Sequence, residues 1–137
     1  MARYLIVAHQ TAESAELRTA LRDITEQDPE ATFTLVIPAT PVTHLIGWTG
    51  GESAAVARDA GERARARWEA DGVMVEDVVV GDANPVYAVA DLFNQDRWDQ
   101  VIVSTLAAGV SRWLNLDVVS RIGREVDVPV THVAAAG

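Results

Sequence analysis

Short apolar runs rich in β-branched residues alternate along this chain with segments whose apolar residues recur every three to four positions, and that alternation leaves few folds open. Tyr4–Ala8, Thr32–Ile37, Val73–Val80, Gln100–Ser104 and Pro129–Val133 read as strands, each too short for a helix and several apolar enough to be buried on both faces. Between them Leu17, Ala20, Leu21 and Ile24 form one helical stripe. Glu52–Ala70 is a second helix with Ala57, Ala60, Gly61, Ala64 and Trp68 on its inner face, and with Arg58–Glu62 and Asp59–Arg63 spaced for pairing outside. Val86, Val89, Ala90 and Phe93 mark a third helix, and Val118–Glu125 a short fourth. Each crossover helix must bury its stripe on the sheet. The order β-α-β-α-β-α-β-α-β therefore predicts a single three-layer α/β/α domain over residues 1–137, with a five-stranded parallel sheet in the order 3-2-1-4-5.

The connections carry local signals of their own. Thr11 or Ser14 can cap the first helix, Asp28-Pro29-Glu30 ends it, and Pro38 stops the second strand. A long loop with His44 and Trp48 follows Pro38, and connections of that length are usually functional or mobile. Asn84 and Pro85 supply an N-cap and an N1 proline for the third helix. Ligands in open parallel sheets bind beyond the carboxyl ends of the strands, where the strand order reverses. Here that point lies between strands one and four, with His9, Gln10 and Thr11 beside Ser104 and Thr105. Gly81 and Asp82 lie farther along the same edge, as do Pro38 to Thr40.

Charge and composition narrow the chemistry. Twenty acidic residues against eleven basic ones give a net charge of −9, which disfavours nucleic acid and anionic membrane surfaces. All the basic residues are arginine, so a Schiff-base or general-base lysine is excluded, and the lack of cysteine excludes thiol chemistry and cysteine-ligated zinc. No apolar run approaches the roughly 20 residues of a membrane span, and the start Met1-Ala2-Arg3-Tyr4 lacks a signal-peptide pattern. A cytoplasmic location is the expectation.

Four features together resemble the universal stress protein family over essentially the whole chain. They are the first strand and turn YLIVAHQTAES, the long loop after strand two, Gly81-Asp82-Ala83-Asn84-Pro85 after strand three, and the terminal block VIVSTLAAGVSRWLNLDVVSRIGREVDVPVTHV. The resemblance implies an adenine-nucleotide-hydrolase-like fold, a role in stress response, and a homodimer formed through the last strand. Many family members bind ATP or AMP through a glycine pattern, G-x2-G-x9-G-[ST], that begins at the end of strand four. In this chain Ser104, Ala107, Asp117 and Val118 occupy the four positions, and none matches. Glycines there let a phosphate approach backbone N–H groups, whereas Asp117 brings a negative charge. His9 replaces the acidic residue that contacts the base, and Gly81 keeps its type near the ribose. The resemblance thus implies a divergent member. Its crevice of Ser104, Thr105, Gly109, Ser111 and Arg112, with Trp113 beside it, suits AMP, ATP or another small anion held through neutral donors and one guanidinium.

Other readings of the same residues compete. Asp117 before Val118 and Val119 is accounted for as the N-cap of the last helix, and Arg112 as a surface partner of the many carboxylates. Ser104 and His9, with Asp82 orienting the imidazole, could form a small hydrolase, but no Gly-x-Ser-x-Gly turn exposes the serine. His9, His44 and His132 lack the spacing of a metal motif. Trp68 reads as core, while Trp48 and Trp113 could cover a ligand. The valine-rich last strand is an edge that invites pairing, with His132 at the interface, unless the tail Ala134 to Gly137 covers it. A dimeric interaction protein without a nucleotide is therefore the alternative function.

Overall fold

The computed structural model describes residues 2–39, 50–106 and 112–135, without the side chains of 50–53, 106 and 112–117. The strands are β1 (Arg3–Val7), β2 (Thr32–Pro38), β3 (Met74–Gly81), β4 (Gln100–Leu106) and β5 (Val130–Ala135). The helices are α1 (Ala15–Gln27), α2 (Gly50–Ala70), α3 (Pro85–Gln95) and α4 (Arg112–Glu125). All neighbouring strands are parallel and the sheet order is β3-β2-β1-β4-β5, as the alternation predicted. Among the described residues no helix is long and apolar enough to cross a membrane.

The period-two geometry of the strands divides the core into two layers. Ile6, Phe33, Leu35, Ile37 and Ile102 face one way, against Leu17 and Leu21 of α1 and Ala57, Ala64 and Trp68 of α2. Leu5, Val7, Val36, Val101 and Val103 face the other, against Val86, Ala88 and Val89 of α3 and Ile122 of α4. Right-handed crossovers produce this arrangement, because the chain first winds outward from β1 to β3 and then returns to wind outward through β4 to β5.

The helix boundaries follow from local chemistry. Ser14 caps α1 by accepting from the Leu17 amide at 3.2 Å, and Asn84 caps α3 by accepting from the Val86 amide at 2.9 Å, with Pro85 at the first helical position. At the end of α2 the Val73 amide donates to the Trp68 carbonyl at 3.0 Å and the Gly72 amide to Glu69 at 3.1 Å. This paired closure requires a left-handed residue between them, and Gly72 supplies it at φ 89°. Arg18 of α1 then grips the Asp71 carboxylate at 2.8 and 3.0 Å, tying the two helices on that face together.

Several boundaries depart from the sequence expectation. β4 runs on through Thr105 and Leu106, which pair with Ala134 and Ala135. Thr105 is therefore a strand residue, and part of the tail extends β5 instead of covering it. α4 begins at Arg112, so Asp117 lies inside the helix and is not its N-cap. Gly81 is the last residue of β3, opposite Pro38. Arg63 points towards Glu13 at 3.8 Å, and among the described residues the i,i+4 pair formed on α2 is Arg65–Glu69.

The two edges of the sheet differ. β3 carries a bulge: Phe33 faces Val75 and Thr34 faces Asp77, which leaves Glu76 as an extra residue. Glu76 is bound by Arg3, whose guanidinium also takes both oxygens of Asp96 at 2.7 and 3.0 Å and lies 4.5 Å from the Trp98 ring centroid. β5 at the other edge keeps an unbroken register from Val130 to Ala135.

Candidate functional site

The strand order reverses between β1 and β4, and there the structure brings together residues 93 apart in sequence. Thr11 and Ser104 join hydroxyl to hydroxyl at 2.6 Å. Both are buried, at 5% and 7% exposure. Ser104 reaches this position because β4 alternates: Val103 points towards α3 and α4, so Ser104 points to the α1 side, under the turn that leaves β1.

That turn is built by its backbone. The Ala8 amide donates to Val36 at 3.3 Å, the Ala12 amide to His9 at 3.2 Å, and the Ser14 amide to Thr11 at 3.0 Å. The Trp68 indole N–H reaches across from α2 to the Ala12 carbonyl at 2.9 Å. Trp68 is fully buried, so the turn that carries His9 and Thr11 is anchored to the core through one aromatic residue. The sequence marks Trp68 as core. Nothing in its spacing announces the hydrogen bond to a turn 56 residues earlier.

His9 follows β1 and is partly buried, and its Nε2 is enclosed with no hydrogen-bond partner. Burial alone lowers its pKa from the usual 6.5 and favours the neutral imidazole. A buried polar atom without a partner costs free energy unless a ligand or water meets it, so Nε2 is a point of unsatisfied bonding at the switch point. Gln10, beside it, is exposed.

The remaining sequence candidates divide. Thr105 hydrogen-bonds His132 Nε2 at 2.6 Å between β4 and β5. With Val103, it lies on the sheet face opposite Ser104. Asp82 accepts from the Asn84 amide at 2.8 Å, shaping the turn into α3 and not orienting His9. Gly81 is held against α3: a Cβ there would lie 2.8 Å from Ala88 Cβ and 3.0 Å from Val36 Cγ2. Its lack of a side chain is thus accounted for by close packing, independently of any ribose. Gly109 and Ser111 lie outside the described residues, as does the loop holding His44 and Trp48, while Arg112 and Trp113 are placed only as the start of α4. Among the described residues no cluster of His, Cys, Asp and Glu could hold a metal ion.

A cavity of about 420 Å³ lies elsewhere, between α3 and the β2–β3 side of the sheet. Val36, Val79 and Gly81 line it together with Arg3, Glu76, Asp77, Asp82, Asp91 and Asp96. His9, Thr11, Ser104 and Thr105 are not part of it. Arg3 neutralises Glu76 and Asp96 at one end, and the acidic remainder is unsuited to an anion.

No protein-family model matches the chain, and no curated protein sequence matches it. Solved structures do. A universal stress protein in complex with cAMP is similar with a TM-score of 0.67 and 17% identity, over 98% of each chain. The universal stress protein from Archaeoglobus fulgidus in complex with dAMP gives 0.61 and 16%, over 97% of each chain. A universal stress protein family member from Burkholderia pseudomallei gives 0.63 and 13%, over 98% of this chain and 96% of the other. The chain has the universal stress protein fold from end to end, the architecture that its strand pattern and motifs led us to expect.

Proposed function

We propose that this protein is a universal-stress-protein-like binding module that takes a small anionic ligand, first of all an adenine nucleotide such as AMP or ATP, in the crevice between β1 and β4. The observation that carries this reading is the buried Thr11–Ser104 hydroxyl pair at the switch point of this fold, with His9 at the end of β1 holding an enclosed, unpartnered Nε2. The cAMP and dAMP complexes of two fold neighbours support a nucleotide as the first ligand to try. The module carries or senses its ligand without altering it: Ser104 hydrogen-bonds Thr11 and not His9, so no serine–histidine pair is assembled. Its setting is a cytoplasmic stress response, and it works as a homodimer through β5, where Thr131, His132 and Ala134 are exposed on an unbulged edge.

The missing glycines favour a second reading, a dimeric interaction protein with no nucleotide, because Ser104, Ala107 and Asp117 stand where bare backbone would meet a phosphate. Native mass spectrometry of gently purified protein, alone and with ATP, AMP and inorganic phosphate, separates the two. A retained or added nucleotide mass is the expected result. A clean dimer that takes none of the three overturns the binding reading and leaves the interaction protein.

A further inference from the structure

We infer that the cavity between α3 and the β2–β3 side of the sheet is a binding site of its own, for a linear aliphatic polyamine whose ammonium groups meet its carboxylates and whose methylenes lie on its apolar floor. The inference goes beyond the nucleotide reading and stands without it, since His9, Thr11 and Ser104 do not line this cavity.

The walls are of two kinds. Val36, Ala88 and Trp98 are buried at the floor, while Asp77, Asp82 and Asp91 are exposed at the mouth. The volume of about 420 Å³ falls within the range of small-molecule sites, roughly 300–1,000 Å³. Of the carboxylates around it, Glu76 and Asp96 are taken up by Arg3. Asp77 and Asp82 each spend one oxygen on a backbone amide, that of Val78 and that of Asn84, both at 2.8 Å, and keep the other. Asp91 makes no hydrogen bond or ion pair among the described residues. These three remain available to a ligand.

A second observation, independent of charge, lies at the floor. Thr34 is 2% exposed and lines the cavity, on the same face of β2 as Val36. Among the described residues its side-chain contact is Glu76 Oε2 at 3.5 Å, beyond the roughly 2.5–3.0 Å of an O–H···O bond, and that oxygen already receives Arg3. A buried hydroxyl so poorly met is stabilised by a partner entering the cavity, and an ammonium N–H can donate to its oxygen.

Arg3 shows what these walls accept. Its guanidinium is held by Glu76 and Asp96 over the Trp98 ring, so a cation against carboxylates and an aromatic face is already realised at one end. The carboxylates do not gather round one point, and among the described residues no cluster could hold a metal ion. They are strung along α3 and β3, where Asp77 to Gly81 alone spans about 13 Å of strand. A cation that fits carries its charges at intervals on an apolar stem, which is the chemistry of a polyamine and not of a divalent metal. The net charge of −9 draws such cations from solution.

NMR titration of the whole chain with putrescine, spermidine and magnesium tests this. Spermidine should saturably shift the Val79 and Gly81 amides and the Trp98 indole N–H, and should bind about two- to fivefold more tightly than putrescine, the yield of one further exposed ion pair. Magnesium, with the same charge as putrescine, should shift them less. Asp77→Asn with Asp91→Asn should weaken spermidine about four- to twenty-five-fold. Asp59→Asn with Glu62→Gln, exposed on α2 across the sheet, should leave its affinity unchanged. Thr34→Val keeps the side chain's shape, so it should lose affinity without losing stability in urea. Equal weakening by the two pairs of variants, equal shifts with magnesium, or no saturable shift of the three signals overturns the inference. A Thr34→Val protein that is less stable but binds spermidine as tightly as wild type also overturns it, because the hydroxyl then serves the fold. None of these results depends on a nucleotide mass, so either binding reading can fail alone.

Discussion

Gly81 and Ser104 both stand at the carboxyl edge of the sheet, yet their roles differ in kind. At Gly81 the nearest obstacle is Ala88 Cβ at 2.8 Å, an atom that cannot move without moving α3. Gly81→Ala should therefore destabilise the fold by about 1–3 kcal/mol through overpacking, measured by urea denaturation. Combining it with Ala88→Gly should recover part of that loss, and a double-mutant cycle showing no coupling would refute the contact as its cause. Ser104→Ala should act differently, leaving the buried Thr11 hydroxyl without its partner at a cost of about 1–3 kcal/mol, while a Thr11→Val, Ser104→Ala double variant costs less than the sum of its parts. Strand order made it legible from sequence that Thr11 and Ser104 come together where the order reverses. The bond between Thr11 and Ser104 depends on the face of β4 that Ser104 takes and on how the turn after β1 folds, and the isolation of His9 Nε2 on that turn as well; neither was legible.

α2 links the core to the turn after β1 more directly than its small-residue inner face suggests. Its end is closed by a glycine in the left-handed region with nothing within 4 Å of a built Cβ. Gly72→Ala should thus cost about 1 kcal/mol from backbone strain alone, and a melting temperature unchanged from wild type would count against that closure. Trp68→Phe keeps most of the buried ring but removes the hydrogen bond to Ala12, so it should weaken ligand binding as well as stability by loosening the turn at Thr11. Loss of stability with unaltered affinity would show that the turn holds itself. The sequence was a poorer guide at α4. Asp117 before two valines has the form of a helix start, but the preceding RWLNL contains neither proline nor glycine to stop a helix, and the helix runs back to Arg112. β4 outran its expected end for a related reason: strand length is set by the partner strand as well as by local composition, and β5 continues to Ala135.

At the scale of the molecule, acid should destabilise the protein in two stages. The folded pKa of His9 lies below its ordinary 6.5, so the folded state holds fewer protons than the unfolded chain once pH drops beneath that value. The stability His9 contributes is complete above 6.5 and is lost as pH falls through the interval below it. Asp71, held down by Arg18, and Asp96, held down by Arg3, contribute above the ordinary carboxylate value of 3.8 and lose their contribution as pH falls beneath it. Urea midpoints against pH should show the upper stage disappear in His9→Gln while the lower stage remains, and its survival in that variant would assign it to another group. The order of the strands was legible because it follows from chirality and alternation, whereas the difference between the two sheet edges turns on one inserted residue. Glu76 breaks the ladder of β3 and is fixed there by Arg3, so that border is kinked, charged and unfit as a template, while β5 offers an even row of backbone groups. A sheet with one such border has a valence of one. Two copies that meet through β5 in two-fold fashion use up each other's only adhesive rim, and the chain reaction by which two-sided sheets grow into fibrils has no second step.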